Sequence, residues 1–303
     1  MKISKHTTEQ QNEHSKFIDK MDTKEILTLM NSEDKTIPLA VEKAIPKIEE
    51  FTENVIRSFN NGGSLYYVGA GTSGRLGVLD ASEIPPTFSA SPKLVQGIIA
   101  GGLKALTTAV EGAEDYPGDG KQIIIDKGIT KNDCVLGITT SGMAAYVMGA
   151  LEQAKEIGAS TGLLICNEFK DREYIDTVIK VIVGPEIVTG STRMKAGTAT
   201  KLVINMITTT AMIRINKTYG NLMVDLMALN KKLWDRGARI VKHCTNIEYD
   251  RSLEILKKAE GKVKTALVMG SLNISYEEAT NRLEKVNGNL RDVLEKENVT
   301  LNL

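Results

Sequence analysis

The chain has 303 residues, enough to bury a core as one large domain or two smaller ones, and its 38 lysines plus arginines balance its 38 aspartates plus glutamates. No block of like charges occurs, which disfavours a nucleic-acid partner and favours a small ligand. Three cysteines without CxxC spacing and only three histidines argue against a disulfide framework and a histidine-rich metal site. We expect neither a metal nor a cofactor.

The N-terminal region, residues 1–55, is predicted to be a polar leader followed by helices. Residues 22–25 have the pattern of a capping box, and apolar residues then recur at helical spacing as far as Phe59. Pro46 interrupts this spacing and predicts either a kink or a new helix with Pro46 in its first turn. The leader lacks the apolar core of a secretory signal, and no later run is long enough for a membrane span. We therefore expect a cytoplasmic protein with no membrane partner.

Residues 56–219 are predicted to form an α/β domain with a doubly wound, five-stranded parallel sheet. Short runs that are apolar throughout alternate with helix-length connections, which is typical of strands buried between two layers of helices. The predicted strands are residues 65–68, 94–99, 134–138, 163–166 and 178–183. In such sheets ligands bind beyond the carboxyl ends of the strands, so the loops that follow these runs are the candidate site.

Residues 220–303 are predicted to form a small C-terminal helical subdomain. Long helices are expected over residues 196–218 and 222–243, on either side of its start. Four shorter amphipathic helices, separated by glycine or asparagine, are predicted over residues 252–259, 262–269, 275–286 and 289–294. This subdomain serves either as a packing cap or as a functional lid.

The segment GAGTSGR, residues 69–75, follows the first predicted strand and leads into a helix. Glycines let the backbone turn its N–H groups toward a ligand, the helix N-terminus adds partial positive charge, and Thr72 and Ser73 can donate hydroxyl hydrogen bonds. Gly71, Thr72, Ser73 and Gly74 are therefore predicted to bind a phosphate.

The same glycines match a dinucleotide fingerprint, which offers an alternative. That fingerprint usually has an acidic residue near the end of the next strand, to hold the ribose. No acidic residue occurs between Glu83 and Glu111. A nicotinamide or flavin site is therefore disfavoured.

A second hydroxyl-rich loop, Thr139-Thr140-Ser141-Gly142, follows the third predicted strand. Hydroxyls and backbone N–H groups can hold a monophosphate without a metal, and the chain lacks the Gly-Lys-Ser/Thr ending of a nucleotide-triphosphate loop. Thr140 and Ser141 are thus predicted to bind a sugar phosphate. A simple helix N-cap is the alternative for each such loop.

A third segment, GSTRMKAGT at residues 190–198, opens the long helix after the last strand. Ser191 and Thr192 are candidates either for substrate contact or for capping this helix. Arg193 and Lys195 either bind a carboxylate or phosphate or face solvent.

Two carboxylates are the candidate acid and base. Glu83 precedes Pro85-Pro86, and we expect a rigid loop that holds it near the phosphate and partly out of water. Glu114 lies in a polar turn segment beyond the second strand. Two carboxylates over one sugar phosphate would form an acid/base pair, and differing burial would keep one protonated near neutral pH. The alternative is that both are ordinary solvated groups.

Together these segments resemble the sugar isomerase (SIS) family and, more closely, the N-acetylmuramic acid 6-phosphate etherases, relatives of the glucokinase regulatory protein. The resemblance rests on residues 30–34, 67–88, 111–115 and 184–198 and covers most of the chain. It implies a SIS fold and a carbon–oxygen lyase. The expected reaction adds water to N-acetylmuramic acid 6-phosphate, giving N-acetylglucosamine 6-phosphate and D-lactate by elimination and then hydration. The resemblance places this reaction in the recovery of bacterial cell-wall amino sugars.

The resemblance also implies roles for single residues. Glu83 resembles the acid that protonates lactate, and Glu114 resembles the partner that handles the C2 proton. The residues implied to hold the 6-phosphate are Thr72, Ser73, Thr140 and Ser141. A homodimer is implied as well, with a helical C-terminal part that can close over a site.

Two other functions remain open from the sequence. An aldose/ketose phosphate isomerase would share the phosphate loops but would need a single base for proton transfer between C1 and C2. A non-catalytic sugar-phosphate sensor would bind the ligand to control a partner, although the presence of both Glu83 and Glu114 argues against it.

Overall fold

The computed structural model describes residues 6–228 and 230–302, and these divide into two compact units. The first unit holds the described residues up to Ser82 together with Pro92–Thr209. The second holds Glu83–Ser91 and the described residues from Thr210 onward. The functional domain boundaries expected at residues 55/56 and 219/220 stay predictions.

The first unit is built on a sheet of five parallel strands in the order β2-β1-β3-β4-β5, which confirms the predicted doubly wound arrangement. The strands are β1 Leu65–Gly69, β2 Val95–Ile99, β3 Cys134–Ile138, β4 Ser160–Ile165 and β5 Thr177–Lys180. All residues of β1 and β3 are buried, as expected for strands covered by helices on both faces.

From β1 the sheet extends on one side to β2 and on the other side to β3. Strand β1 pairs with β2 on one side and with β3 on the other, and Gly69 stands opposite Ile99 and Ile138. The chain therefore leaves β1 and β3 at neighbouring positions of the same edge. This is the switch point at which open α/β sheets bind ligands.

Six helices lie within residues 6–214, in addition to short 3-10 turns. They are α1 Thr23–Asp34, α2 Ile37–Asn60, α3 Gly71–Phe88, α4 Pro117–Asp126, α5 Ala145–Ile157 and α6 Lys195–Arg214. The predicted capping box of α1 is confirmed: Asp22 Oδ1 accepts from Glu25 N at 2.8 Å, and Glu25 Oε2 accepts from Asp22 N at 2.8 Å.

Helix α2 continues through Pro46, so the prediction of a new helix there was wrong. Proline removes one backbone donor, but the helix keeps an unbroken apolar face that includes the buried Val41, Ile48 and Phe51. Burial of that face outweighs the lost hydrogen bond.

The second unit is helical and confirms the predicted C-terminal subdomain. Its complete helices are α7 Lys231–Thr245, α8 Tyr249–Lys258, α9 Val263–Leu272, α10 Tyr276–Glu284 and α11 Leu290–Glu295. The prediction of a helix starting at residue 222 was wrong, because this segment forms isolated bridges, Tyr219 with Leu222 and Met227 with Lys262. Asn230 then caps α7 through its side chain, which accepts from Leu233 N at 3.0 Å.

The three cysteines are buried core residues. Cys134 and Cys166 are 1 % exposed, and burial raises the pKa of each thiol to about 12. His243 is exposed on α7. Among the described residues, no helix combines the length and the apolar character that crossing a bilayer requires.

Candidate active site

The first hydroxyl-bearing loop joins β1 to α3, and two glycines let helix and strand meet closely. A Cβ on Gly74 would lie 2.6 Å from Ile99 Cγ1 and 2.8 Å from Gly69 O. A Cβ on Gly69 would lie 2.6 Å from Gly74 N. Gly71 has a φ of +52°, a conformation that an L side chain rarely adopts. These constraints turn the chain directly into α3, which begins at Gly71.

The N-terminus of α3 is open. Its first turn holds no acidic residue, and its early N–H groups carry the positive end of the helix dipole. Thr72 and Ser73 are half-buried there. Neither hydroxyl donates to a recorded acceptor within residues 6–228 and 230–302, so both can donate to a bound anion. This arrangement can hold a phosphate as the sequence predicted.

The second loop follows β3 and is fixed by its own hydroxyls. Thr139 Oγ1 accepts from Gly142 N at 3.3 Å, and Ser141 Oγ accepts from Met143 N at 3.3 Å. Because each oxygen is used as an acceptor, the Ser141 hydroxyl keeps its proton for a ligand. Thr140 and Ser141 are half-buried beside the strand edge that also carries the first loop.

A buried asparagine at the end of β4 holds the second loop in place. Asn167 is fully buried, and its Nδ2 donates to Thr140 O at 2.9 Å. Its Oδ1 accepts from Thr7 Oγ1 at 2.9 Å and from Thr8 N at 3.4 Å. The N-terminal leader is thereby tied to the second loop, a role that its polar composition did not reveal.

The third segment contacts the first loop. A Cβ on Gly197 would lie 3.7 Å from Thr72 Cγ2, and Gly197 N donates to Thr192 O at 3.0 Å. Ser191 and Thr192 are half-buried on the approach to α6. Arg193 is exposed, with no recorded partner in the part of the chain that the structure describes.

Helix α6 is capped by a buried glutamate, so Ser191 and Thr192 do not cap it. The Glu186 carboxylate accepts from Lys195 N at 2.9 Å and from Ala196 N at 3.0 Å. Glu186 is fully buried. Burial raises its pKa, and the two backbone hydrogen bonds oppose that shift.

The Lys195 side chain is not free to bind a ligand, because it forms a buried ion pair. Its Nζ lies 2.7 Å from Glu33 Oε2, and the other oxygen of Glu33 lies 2.7 Å from His14 Nδ1. Burial by itself raises the pKa of Glu33, but hydrogen bonds from Lys195, His14 and Asn12 outweigh it and lower the pKa from 4.5 to about 2. Residues 30–34 and the third segment are thus joined by the ion pair between Glu33 and Lys195.

Glu114 lines a small cavity at the open end of α3. The cavity has a volume of about 180 Å³, and Gly71, Arg75, Glu111 and Glu114 stand on its wall. Glu114 O accepts from Tyr146 N at 2.9 Å, which anchors this turn to the start of α5. Arg75 Nε donates to Leu106 O at 3.1 Å and fixes the opposite wall. The structure therefore brings Glu114 together with the first phosphate loop.

Glu83 is placed differently from the expectation. It lies within helix α3, not in a rigid loop, because the helix continues through Pro85 and Pro86. Its side chain is exposed, and so is that of Glu114. The predictions that Glu83 is partly out of water and that burial distinguishes the two carboxylates were wrong. The catalytic roles of both residues stay predictions.

Sequence reasoning missed Asn167, Glu186, Glu33 and Arg75 as supports of these loops. Glu186 and Glu33 both lie in segments that carried the family resemblance, which was the available signal. Asn167 lies two residues after the end of the strand β4 and could have been found from that position.

Comparisons with known proteins give matches over most of the chain. The profile of the glucokinase regulatory protein N-terminal SIS domain matches residues 47–155. An N-acetylmuramic acid 6-phosphate etherase from Geobacillus sp. (strain WCH70) is 50% identical over 97% of this chain and 100% of its own length. The corresponding protein of Salinibacter ruber is 47% identical over 95% of this chain and 93% of its own. N-acetylmuramic acid 6-phosphate etherase 2 from Lactiplantibacillus plantarum is 46% identical over 97% of this chain and 100% of its own length.

Among solved structures, a phosphoheptose isomerase from Neisseria gonorrhoeae covers 63% of this chain and 98% of its own, with 16% identity and a TM-score of 0.47.

Proposed function

The chain belongs to the N-acetylmuramic acid 6-phosphate etherase family, and from this premise we propose that it cleaves the D-lactyl ether of N-acetylmuramic acid 6-phosphate. Water is added, and the products are N-acetylglucosamine 6-phosphate and D-lactate. In structural terms the proposal is carried by one observation: the cavity at the open N-terminus of α3 has Gly71, Arg75 and Glu114 on its wall. That cavity combines an anion site with a carboxylate.

The 6-phosphate is assigned to the two hydroxyl loops. Thr72 and Ser73 stand at a helix N-terminus without an acidic residue, and Thr140 and Ser141 follow the neighbouring strand. Hydroxyls and helix N–H groups can hold a phosphate dianion without a metal. Gly71 allows the backbone to approach the ligand, and Ser191, Thr192 and Arg193 are assigned to the remaining polar contacts of the substrate.

The reaction divides into elimination and hydration. In the open-chain sugar, the aldehyde acidifies the C2 proton, so a base can remove it. The electron pair then forms the C2–C3 double bond while the C3–O bond to lactate breaks, and an acid protonates the departing oxygen. Water next adds its oxygen at C3, and C2 regains a proton. The net change is one water consumed and one ether bond broken.

Two carboxylates are assigned to these proton transfers. Glu114, on the cavity wall, is proposed to take the C2 proton. Glu83 is proposed to protonate lactate and later to activate water, an assignment that rests on the family resemblance alone. A homodimer acting in the cytoplasm, in the recovery of cell-wall amino sugars, completes the proposal.

The assignment is tested by separating proton exchange from lactate release. The Glu83→Gln variant, incubated with substrate in deuterium oxide, is expected to exchange the C2 proton while releasing almost no lactate. Glu114→Gln is expected to lose both reactions. Glu173→Gln, an exposed carboxylate in the turn before β5, is the control and should keep both.

The outcomes also separate the competing functions. An isomerase would convert a sugar phosphate without lactate release, and a sensor would bind substrate with neither exchange nor release. Loss of both reactions in Glu83→Gln, with exchange retained in Glu114→Gln, would reverse the two assigned roles.

A further inference from the structure

The second unit contains a cavity of its own that the etherase proposal does not use. Its volume is about 410 Å³, and the polar side chains on its wall include those of Lys217, Asp225, Lys264, Thr265 and Thr280. All of its lining residues belong to the second unit. It is therefore a site separate from the loops described above.

The cavity wall carries more cationic than anionic charge. Asp225 is shared by two lysines: its Oδ2 lies 2.6 Å from Lys217 Nζ, and its Oδ1 lies 3.2 Å from Lys264 Nζ. Lys264 is only 7 % exposed, and its Nζ also donates to Asn216 O at 2.7 Å. One carboxylate thus faces two ammonium groups. A buried charge without a full counter-charge is unfavourable unless a ligand supplies it.

Two further charged residues line the cavity but do not remove this excess. Lys262 is bound by Tyr276 and Glu260, with its Nζ 3.5 Å from Glu260 Oε2. Glu284 is exposed to solvent, where its charge is screened. The excess is therefore local to Lys217 and Lys264, which share the single carboxylate of Asp225.

The N-terminus of α9 lies at the same cavity, and its first turn carries a lysine where an acidic residue would be favourable. Leu226 O accepts from Val263 N at 3.2 Å, but the N-cap Lys262 provides no side-chain hydrogen bond and the first turn holds no acidic residue. Lys264 and Thr265 instead occupy that turn, and both line the cavity. A positive side chain at the positive end of a helix dipole is unfavourable, and a bound anion would reverse the effect.

The cavity wall also has a hydroxyl group without a partner and a glycine that leaves a lysine accessible. Thr280 Oγ1 is buried and has no hydrogen-bond partner among the described residues. Gly288 has a φ of +73°, and a Cβ there would stand 3.6 Å from Lys264 Nζ, so glycine leaves the ammonium group uncovered. Burial lowers the pKa of Lys264, and the neighbouring Lys217 acts in the same direction against Asp225. An anion would oppose both effects.

We propose that this cavity is a second oxyanion site, in which Lys217, Lys264 and the N-terminus of α9 bind a phosphate or carboxylate group. The two lysines that share Asp225, the helix N-terminus without an acidic residue and the unpartnered Thr280 hydroxyl all favour the same ligand chemistry. The site goes beyond the proposed etherase function and does not depend on it.

The site is tested by titrating the full chain with inorganic phosphate and following its amide resonances by NMR. The Ser73→Asp background is used, because a carboxylate at α3 repels phosphate from the first unit. Phosphate is expected to shift the amides of Lys264, Thr265 and Gly288 with a Kd of about 1 mM or tighter. Absence of a localised shift at these amides would overturn the proposal.

Variants separate an anion site from a merely structural ion pair. Lys264→Met is expected to weaken phosphate binding about tenfold or more, since it removes a charge-assisted hydrogen bond. If that variant does not fold, Lys217→Met is used in its place. Lys257→Met, an exposed lysine on α8, is the matched control and should bind as the parent chain does.

The variant Asp225→Asn distinguishes an anion site from a structural ion pair most clearly. An anion site gains affinity when the competing carboxylate is neutralised, so phosphate should bind several-fold more tightly. A structural ion pair would show lower stability and no gain in binding, which would contradict the proposal. Titration with D-lactate and with N-acetylglucosamine 6-phosphate then shows whether carboxylate or phosphate is preferred.

Discussion

Helices α6 and α9 both carry a lysine in the first turn, and they differ in what surrounds it. At α6, the buried Glu186 accepts the helix N–H groups, and Glu33 neutralises Lys195. At α9, neither a capping side chain nor an acidic residue is present in the first turn. The difference indicates two uses of a helix N-terminus. The first is closed by the protein's own carboxylates, and the second has none, which leaves the proposed anion to supply the negative charge.

The N-terminus of helix α3 resembles that of α9. Its first turn holds no acidic residue and presents Thr72 and Ser73. The comparison therefore makes a general claim about this molecule: a carboxylate added to an open helix N-terminus should block binding, and one removed from a closed N-terminus should destabilise the fold.

The largest effect is expected from filling the open N-terminus of α3 with Ser73→Asp. A carboxylate about 4 Å from a phosphate costs about 4 kcal/mol at an effective dielectric constant near 20, so kcat/KM should fall about a thousandfold. The free energy of unfolding should stay level or rise by about 0.5 kcal/mol, because an acid suits a helix N-terminus. Lactate release and urea unfolding measure the two effects.

Asn132→Asp is the control for this change. It adds the same charge in the exposed turn before β3, at the amino end of the sheet. Full activity in Ser73→Asp, or an equal loss in Asn132→Asp, would show that α3 does not hold the substrate phosphate.

The next effect is expected from opening the N-terminus of α6. Glu186→Ala leaves the N–H groups of Lys195 and Ala196 buried without an acceptor, and should lower the free energy of unfolding by about 3 kcal/mol. Glu168→Ala is the control, because Glu168 is exposed and lies 3.9 Å from Lys180, and it should change that free energy by about 0.5 kcal/mol or less. Similar losses in both variants would refute the capping role of Glu186.

A smaller effect is expected for Glu33→Gln, and it should depend on pH. The folded-state pKa of Glu33 is about 2, below its ordinary 4.5, so between these values the unfolded chain binds more protons. The stabilisation by Glu33 is complete above about pH 4.5 and is lost as the pH falls toward 2. Urea unfolding at pH 6 should show a loss of about 2 kcal/mol in the variant.

The same comparison at about pH 3 should show a smaller difference between variant and parent. A difference that stays constant with pH would mean that the ion pair with Lys195 is not the source of the stabilisation.

The smallest effect is expected for Gly71→Ala, which tests conformation alone. The φ of +52° is strained for alanine, yet a Cβ there would meet nothing within 4 Å, so the loss should be about 1 kcal/mol. Gly118→Ala in α4 also meets nothing within 4 Å but has no positive φ, and it should raise the free energy of unfolding by a few tenths of a kcal/mol, about 0.5. Losses of equal size would remove the conformational argument for Gly71.

Local sequence patterns predicted most of the fold. The five strands were found because each is a short apolar run between helical stretches, and the α1 cap was found because its two residues, Asp22 and Glu25, lie only three positions apart. The segment that includes Leu222, Val224 and Leu226 was misassigned to a helix because Val224 and Leu226 are buried in the core of the second unit and Leu222 packs against it, and burial alone does not specify backbone geometry.

The site was predicted in part. Thr72, Ser73, Thr140 and Ser141 were found because they follow strands that share one sheet edge. The roles of Asn167 and Glu186 could not be predicted, because their partners lie on other segments of the chain: Asn167 binds Thr7 and Thr140, and Glu186 binds the start of α6. Glu83 was misplaced because two consecutive prolines usually end a helix, whereas α3 continues through them.

The etherase mechanism is tested most directly by running the reaction in water labelled with oxygen-18. Elimination followed by hydration predicts that the label enters N-acetylglucosamine 6-phosphate at C3 and that the released D-lactate stays unlabelled. Label in the lactate would mean that water attacks the lactyl carbon and would contradict the mechanism, as would the absence of lactate release.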